Sequence, residues 1–298
     1  MLTWDDYNAD SGTESVPLLV SERSQSLILA AMQYLDFRSN WNEVDDTTWN
    51  DIEKSVAEAY QEIMTLRLLS ESYRNRVLAT NPLRYNPLSE GSGTTIIDYS
   101  GNGYTGTYSG IAWTPDFFPL RDAVPFWDGA NDKGNLYSST FATDFNLDEG
   151  CILLWVKPNS TSVWTDATNR YFLSLEMNAN NALRLYKTST NGFLRTDRRA
   201  GGVYHNADIS GVSDPYWHSY LLSWSVAANQ LKVYRDGIQI GTTKTGLIAS
   251  TGSGLGVAYC GLGSQRTDFV TGVWHGYLSH LVFWDTPATA DIIALGAL

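Results

Sequence analysis

Cysteine, positive charge and long apolar runs are all scarce in this chain. Two cysteines in 298 residues, Cys151 and Cys260, are too few for a disulfide framework and show no metal-ligand spacing such as Cys-x-x-Cys. Both are expected as buried thiols. Lys and Arg number 20 against 32 Asp and Glu, a formal charge of -12, so a phosphate backbone or an anionic membrane surface is repelled and nucleic acid is not expected as a partner. No apolar run approaches the ~20 residues of a membrane helix, so no membrane insertion is expected. The start Met1-Leu2-Thr3-Trp4-Asp5-Asp6 lacks the basic and apolar regions of a secretory signal, and the chain is expected to stay in the compartment where it is made.

What is present instead is aromatic. Phe, Trp and Tyr make up 13% of residues while charged residues make up only 17%, a balance that suits half-buried strands better than a helical bundle. The acidity is concentrated at the front: Met1 to Thr80 holds 14 acidic and 6 basic residues, and the rest of the chain 18 and 14. Residues 1–20 read as an extended acidic arm without periodicity. Residues 21–80 read as a small α-helical region, with Leu27, Ile28, Ala31, Met32 and Leu35 at helical spacing. A second helix is expected from Thr48 and Asp51, which form a capping-box-like start. Its apolar positions Trp49, Ile52, Val56, Ala59 and Ile63 step 3, 4, 3, 4, a two-heptad seam that suits either copies of this chain or an intrachain hairpin. Leu27, Met32, Trp49, Ile52, Val56 and Ile63 are the expected attachment and oligomerisation stripe. Asn81-Pro82 breaks the helical sequence.

From Arg84 onward, short apolar or alternating runs separated by Gly, Asn, Asp and Ser predict an all-β sandwich over residues 81–298 that folds by itself. Cys151–Val156, Tyr171–Leu175, Ala182–Tyr186, Tyr220–Trp224, Gln230–Tyr234 and Leu278–Trp284 are expected strands, with Trp155 and Trp217 in the core. Asp236-Gly237 between two alternating strands predicts a type I′ hairpin turn.

The ordered set Asp98-Tyr99-Ser100-Gly101-Asn102-Gly103, Phe126-Trp127-Asp128-Gly129, Trp155-Val156-Lys157-Pro158, Trp217-His218, Tyr234-Arg235-Asp236-Gly237 and Leu281-Val282-Phe283-Trp284 resembles laminin-G-like jelly-roll domains of the concanavalin A-like lectin/glucanase superfamily. The resemblance implies an antiparallel β-sandwich jelly roll and, in many relatives, a structural calcium near the first turn and the closing strand. Asp98 would supply half of such a site. The alternative is that Asp98 caps its own turn, because Leu278-Ser279-His280-Leu281 stands where the closing strand often carries an acidic pair.

Glycosidases on related folds cluster two carboxylates on one strand, whereas the sandwich region has only Glu90, Glu149 and Glu176, well separated. The histidines 205, 218, 275 and 280 lack a Ser or Cys nucleophile context. The domain is therefore expected not to be an enzyme. Loops carrying Trp164, Arg195, Arg198, Arg199, Tyr204 and His205 are the expected ligand-binding rim, with Trp164, Arg195, Tyr204 and His205 as its site residues; the alternative is that Trp164 and Tyr204 only pack under their own loops.

The front region is also similar to short helical modules of phage structural proteins. Together these resemblances imply a virion protein made in the host cytoplasm, of head-decoration, head-fibre or tail-fibre type. It would be attached to other virion proteins and to copies of itself by residues 21–80, with a jelly roll displayed toward host-surface glycan. A secreted or surface carbohydrate-binding protein and a degenerate glycoside hydrolase are the alternatives.

Overall fold

The computed structural model describes Lys54 and residues 73–115, 123–252, 254–265 and 272–297. The attachment stripe of Leu27, Met32, Trp49, Ile52, Val56 and Ile63 lies outside these residues. Residues 73–79 are helical, and the helix stops where Asn81 takes a positive φ of 50° one residue before Pro82.

The rest is an antiparallel sandwich of two eight-stranded sheets, as the spacing of the runs predicts. The first sheet runs β14 (Ile238–Lys244), β13 (Gln230–Arg235), β12 (His218–Ser225), β7 (Glu149–Pro158), β16 (His275–Trp284), β5 (Ala123–Asp128) and β4 (Ala112–Pro115), with β1 (Arg84–Asn86) also on β16. The second runs β11 (Val203–Ile209), β10 (Leu194–Ala200), β9 (Asn181–Lys187), β8 (Arg170–Asn178), β15 (Cys260–Leu262), β6 (Lys133–Asn135), β3 (Gly106–Ser109) and β2 (Thr95–Ile96). Three short helices, α1 (Ser139–Asp144), α2 (Ser162–Thr165) and α3 (Ala290–Ala294), sit between strands or after the last one. The hairpin of β13 and β14 turns at Asp236 and Gly237 with φ of 52° and 76°, as expected of a type I′ turn.

The core lies between the sheets. Ile152, Leu154 and Val156 of β7 and Leu222 and Trp224 of β12 face Leu173, Leu175, Leu183 and Leu185 from the second sheet. The opposite side of the first sheet is apolar too. Leu221, Leu153, Val282 and Tyr85 form one row across β12, β7, β16 and β1, and every one of them is buried. That explains why β7 reads as an unbroken apolar run and not as an alternation: both of its faces are covered. The cover is the chain's own. Trp284 Nε1 donates to Thr80 Oγ1, and the segment around α3 crosses β12, where Ser219 Oγ donates to the Gly296 carbonyl and Ala288 N–H donates to Ser223 Oγ. Trp155 is buried in this outer layer, as expected of a core residue, while Trp217 precedes β12, is only half-buried and lies against the Tyr277 ring, so the expectation that it too belongs to the core is corrected.

Candidate functional site

The second sheet is built differently on its outward side. Along β10, Leu194, Thr196, Arg198 and Ala200 turn inward and Arg195, Asp197 and Arg199 outward; on β11 the inward partners are His205, Ala207 and Ile209, and the outward ones Tyr204, Asn206 and Asp208. The cross-strand register then lays three outward rows side by side: Tyr171–Tyr186–Arg195–Asp208, Ser174–Arg184–Asp197–Asn206, and Glu176–Ala182–Arg199–Tyr204. Aromatic rings, guanidinium planes and acceptors thus share one sheet face.

Ion pairs organise the rows. Arg184 donates from Nε and Nη2 to Glu176 Oε1 at 3.0 and 2.8 Å and from Nη1 to Asp197 Oδ2 at 3.3 Å. Arg195 makes a bidentate pair with Asp208 at 2.6 and 2.8 Å and lies across from Tyr186, whose ring stacks on Tyr171 at 4.6 Å. Arg199 lies over the Tyr204 ring, 4.5 Å from its centroid. Burial pushes the Asp197 carboxyl above its ordinary range, against the pull of Arg184, Arg195 and Arg199. The hydrogen bond from Arg195, outweighing partial burial, holds Asp208 below its ordinary range.

Of the residues expected at a binding rim, Arg195 and Tyr204 lie on this face. The other two do not. Trp164 is 1% exposed, packs between Phe172 and Trp274 and donates its indole N–H to the Asp214 carbonyl at 2.8 Å, so its rings are closed to a ligand. His205 faces inward beside Arg198, and burial with that neighbouring charge lowers its pKa. Arg198 is itself buried, donating to the Leu147 and Ile248 carbonyls and to Asp148 Oδ1. Trp164 lies in α2, and the other supposed loop residues lie in the strands β10 and β11. Gly201-Gly202, which joins β10 to β11 with both φ positive, was the hairpin signal that would have separated outward Arg195 and Arg199 from inward Arg198. Arg184, Asp197 and Asn206 were missed because a charged residue at a strand centre carries no local mark of the face it occupies.

Asp98 does not fit a calcium site. Its two oxygens accept hydrogen bonds from the N–H groups of Tyr85, Ser100 and Tyr104 and from Ser100 Oγ, a self-capped turn with the oxygen lone pairs taken by donors. On the closing strand the imidazole of His280 hydrogen-bonds Tyr85 Oη at 2.9 Å, where calcium would need oxygen ligands. The buried Arg84 guanidinium already acts electrostatically with Asp98 from inside the core. Among the described residues no group of three or more His, Cys, Asp or Glu is placed to hold a metal.

A family model for the concanavalin A-like lectin/glucanases superfamily matches residues 128–294, more than half of the chain. The chain belongs to that superfamily. Among solved structures, domain 4 of AbnA, an extracellular arabinanase from Geobacillus stearothermophilus in complex with arabinotriose, superposes with a TM-score of 0.54 at 16% identity, over 72% of this chain and 98% of that one. The binding domain of botulinum neurotoxin serotype D gives 0.52 at 11% identity, over 72% of this chain and 50% of that one. A Trypanosoma rangeli sialidase mutant gives 0.54 at 11%, over 80% of this chain and 38% of that one. Identities this low establish the shared fold. No sequence among the curated proteins matches.

In this superfamily member the three glutamates that a hydrolase would draw on are held apart. Glu90 accepts from Ile97 N–H and Tyr108 Oη, Glu149 from Ser225 Oγ, and Glu176 from Arg184, each on a different part of the sandwich.

Proposed function

We propose that this chain is a non-catalytic glycan-binding protein that receives sugar on the outward side of the β8–β11 sheet. The observation that carries the reading is the make-up of the second sheet's outer face, which carries rows of tyrosine, arginine and carboxylate, whereas the middle of the first sheet's outer face carries Leu221, Leu153, Val282 and Tyr85 and is crossed by the α3 segment. Polar groups that fix orientation beside aromatic faces are what a sugar site needs. The likeness to an arabinanase domain solved with arabinotriose supports the same reading. Absence of catalysis is supported by the dispersal of Glu90, Glu149 and Glu176 and by Arg184, whose guanidinium pairs with both Glu176 and Asp197, the two carboxylates this face brings together, where a hydrolase needs its carboxyl pair facing a cleft.

A glycan array probed with the full chain tests the proposal. Retention of at least one glycan, without release of reducing sugar from it, is the expected result; turnover abolished by changing any of the three glutamates would overturn the non-catalytic part.

The same reading extends to a virion setting, in which residues 21–80 attach the protein to other virion proteins and to copies of itself and the jelly roll faces host-surface glycan. Its support is the acidic, heptad-like sequence from Trp49 to Ile63. Mass spectrometry of purified particles is the test, and absence of the chain from them would overturn it.

A further inference from the structure

Three polar atoms on the β10–β11 part of the outward face are buried and have no hydrogen-bond partner: Asp197 Oδ1, Asn206 Oδ1 and Arg199 Nε. They belong to one block. Asp197 lies directly across from Asn206, and Arg199 directly across from Tyr204. Asp197 is 2% exposed, with only Oδ2 engaged by Arg184, whereas Tyr204 is 50% exposed. Folded proteins pair nearly all such groups, and leaving one buried and unpaired costs about 1–3 kcal/mol. Two acceptors and one donor orphaned side by side, next to an open aromatic ring, form a site short of its partners.

The missing partners have a definite chemistry. Two free acceptors call for hydroxyl donors, the free N–H for a hydroxyl or ring-oxygen acceptor, and the half-exposed ring, capped by Arg199 on one face, leaves its other face for an apolar C–H surface. A sugar supplies all of these in one residue. An acidic sugar does not suit the block. Arg184 is already committed to Glu176 and Asp197, and Arg195 to Asp208. Arg199 lies over the Tyr204 ring, and its charge is offset by the Asp197 carboxyl two residues away on the same strand. The Asp197 carboxyl and the chain's net charge of -12 both repel an anion.

We propose that Asp197, Arg199, Tyr204 and Asn206 form a subsite for an uncharged sugar residue, with Asp197 and Asn206 accepting from its hydroxyls, Arg199 donating to it and Tyr204 stacking on it. The inference rests on the glycan-binding reading and narrows it to one ligand class and one block of the face. Entry of the sugar requires the side chains that bury these atoms to move aside.

The test is calorimetric titration of the full chain with two sets of probes. One is uncharged, comprising arabino-, xylo-, manno-, galacto- and gluco-oligosaccharides. The other is acidic, comprising oligogalacturonates, sialyllactose and sulfated oligosaccharides. Binding within the uncharged set only, insensitive to added salt, is expected. Tyr204→Ala and Asn206→Ala should each weaken it at least about tenfold, while Tyr216→Ala, an exposed residue outside the face, leaves it unchanged. Asp197→Asn serves as a further variant if it unfolds at the wild-type denaturant midpoint. Binding confined to acidic probes would overturn the ligand class and leave the glycan-binding reading standing. Binding of uncharged probes that survives both Tyr204→Ala and Asn206→Ala would overturn the subsite alone. No binding by either set would overturn both.

Discussion

The indole Nε1 of Trp284 donates a hydrogen bond to Thr80 Oγ1 at 2.9 Å, joining residues 204 positions apart. It fastens the end of the helical segment to the outer face of the closing strand, and Val77, one turn earlier, is fully buried. The β-domain therefore reaches further forward than the Asn81-Pro82 break predicts: Arg74–Thr114 and Val124–Leu298 make up one compact unit.

A fragment beginning at Arg84 is accordingly expected to be less stable than one beginning at Arg74. Loss of Val77 burial and of the indole hydrogen bond should cost about 2–4 kcal/mol. Urea unfolding of the two fragments reads this directly, and equal midpoints would show that residues 74–83 contribute nothing to the sandwich.

His280 sets an acid limit. Burial, together with the charge of Arg74, lowers its pKa to about 3, against ~6.5 in an unfolded chain. The unfolded state takes up the proton first as pH falls, so the stability that depends on neutral His280 is complete above the unfolded value and is lost progressively toward the folded one. Its slope is up to about 1.4 kcal/mol per pH unit. His280→Asn suits the positive φ of 45° at this position and should flatten that part of the stability profile between about pH 6 and 4. An unchanged slope in the variant would assign the acid sensitivity to other groups.

Trp164 and Tyr204 separate stability from binding. Trp164→Ala empties a closed core position and should cost about 3–5 kcal/mol. Tyr204→Ala, at a half-exposed strand position, should stay within about 0.5 kcal/mol of wild type. Chemical denaturation of both variants distinguishes them, and a small loss at Trp164 would mean that its pocket can collapse around the gap.

Calcium should leave the protein unmoved. Because donors occupy both oxygens of Asp98, the thermal midpoint is expected to be the same in EDTA and in ~1 mM calcium, while Asp98→Ala should cost about 1–3 kcal/mol through the donors it strands. A calcium-dependent rise in midpoint that Asp98→Ala abolishes would reverse this.

Much of this architecture is local and so was legible in the residues themselves. Short apolar or alternating runs marked β7, β8, β9, β12, β13 and β16, Asp236-Gly237 marked its hairpin because glycine and aspartate accept positive φ, and the scattering of Glu90, Glu149 and Glu176 along the chain spoke against a catalytic pair. What only tertiary structure decided is which side of each strand meets what. Trp164 and Tyr204 are both aromatic residues in polar surroundings, yet one is enclosed by Phe172 and Trp274 and the other faces outward, a difference made by residues far away in sequence. The first sheet's outer face is closed because Thr80 and the α3 segment return to it from opposite ends of the domain. The orphaned atoms of Asp197, Asn206 and Arg199 exist as a group only through the register of β10 on β11. Backbone conformation follows from neighbours along the chain, but burial and polar pairing depend on neighbours across it, and those are set only when the sheets have closed.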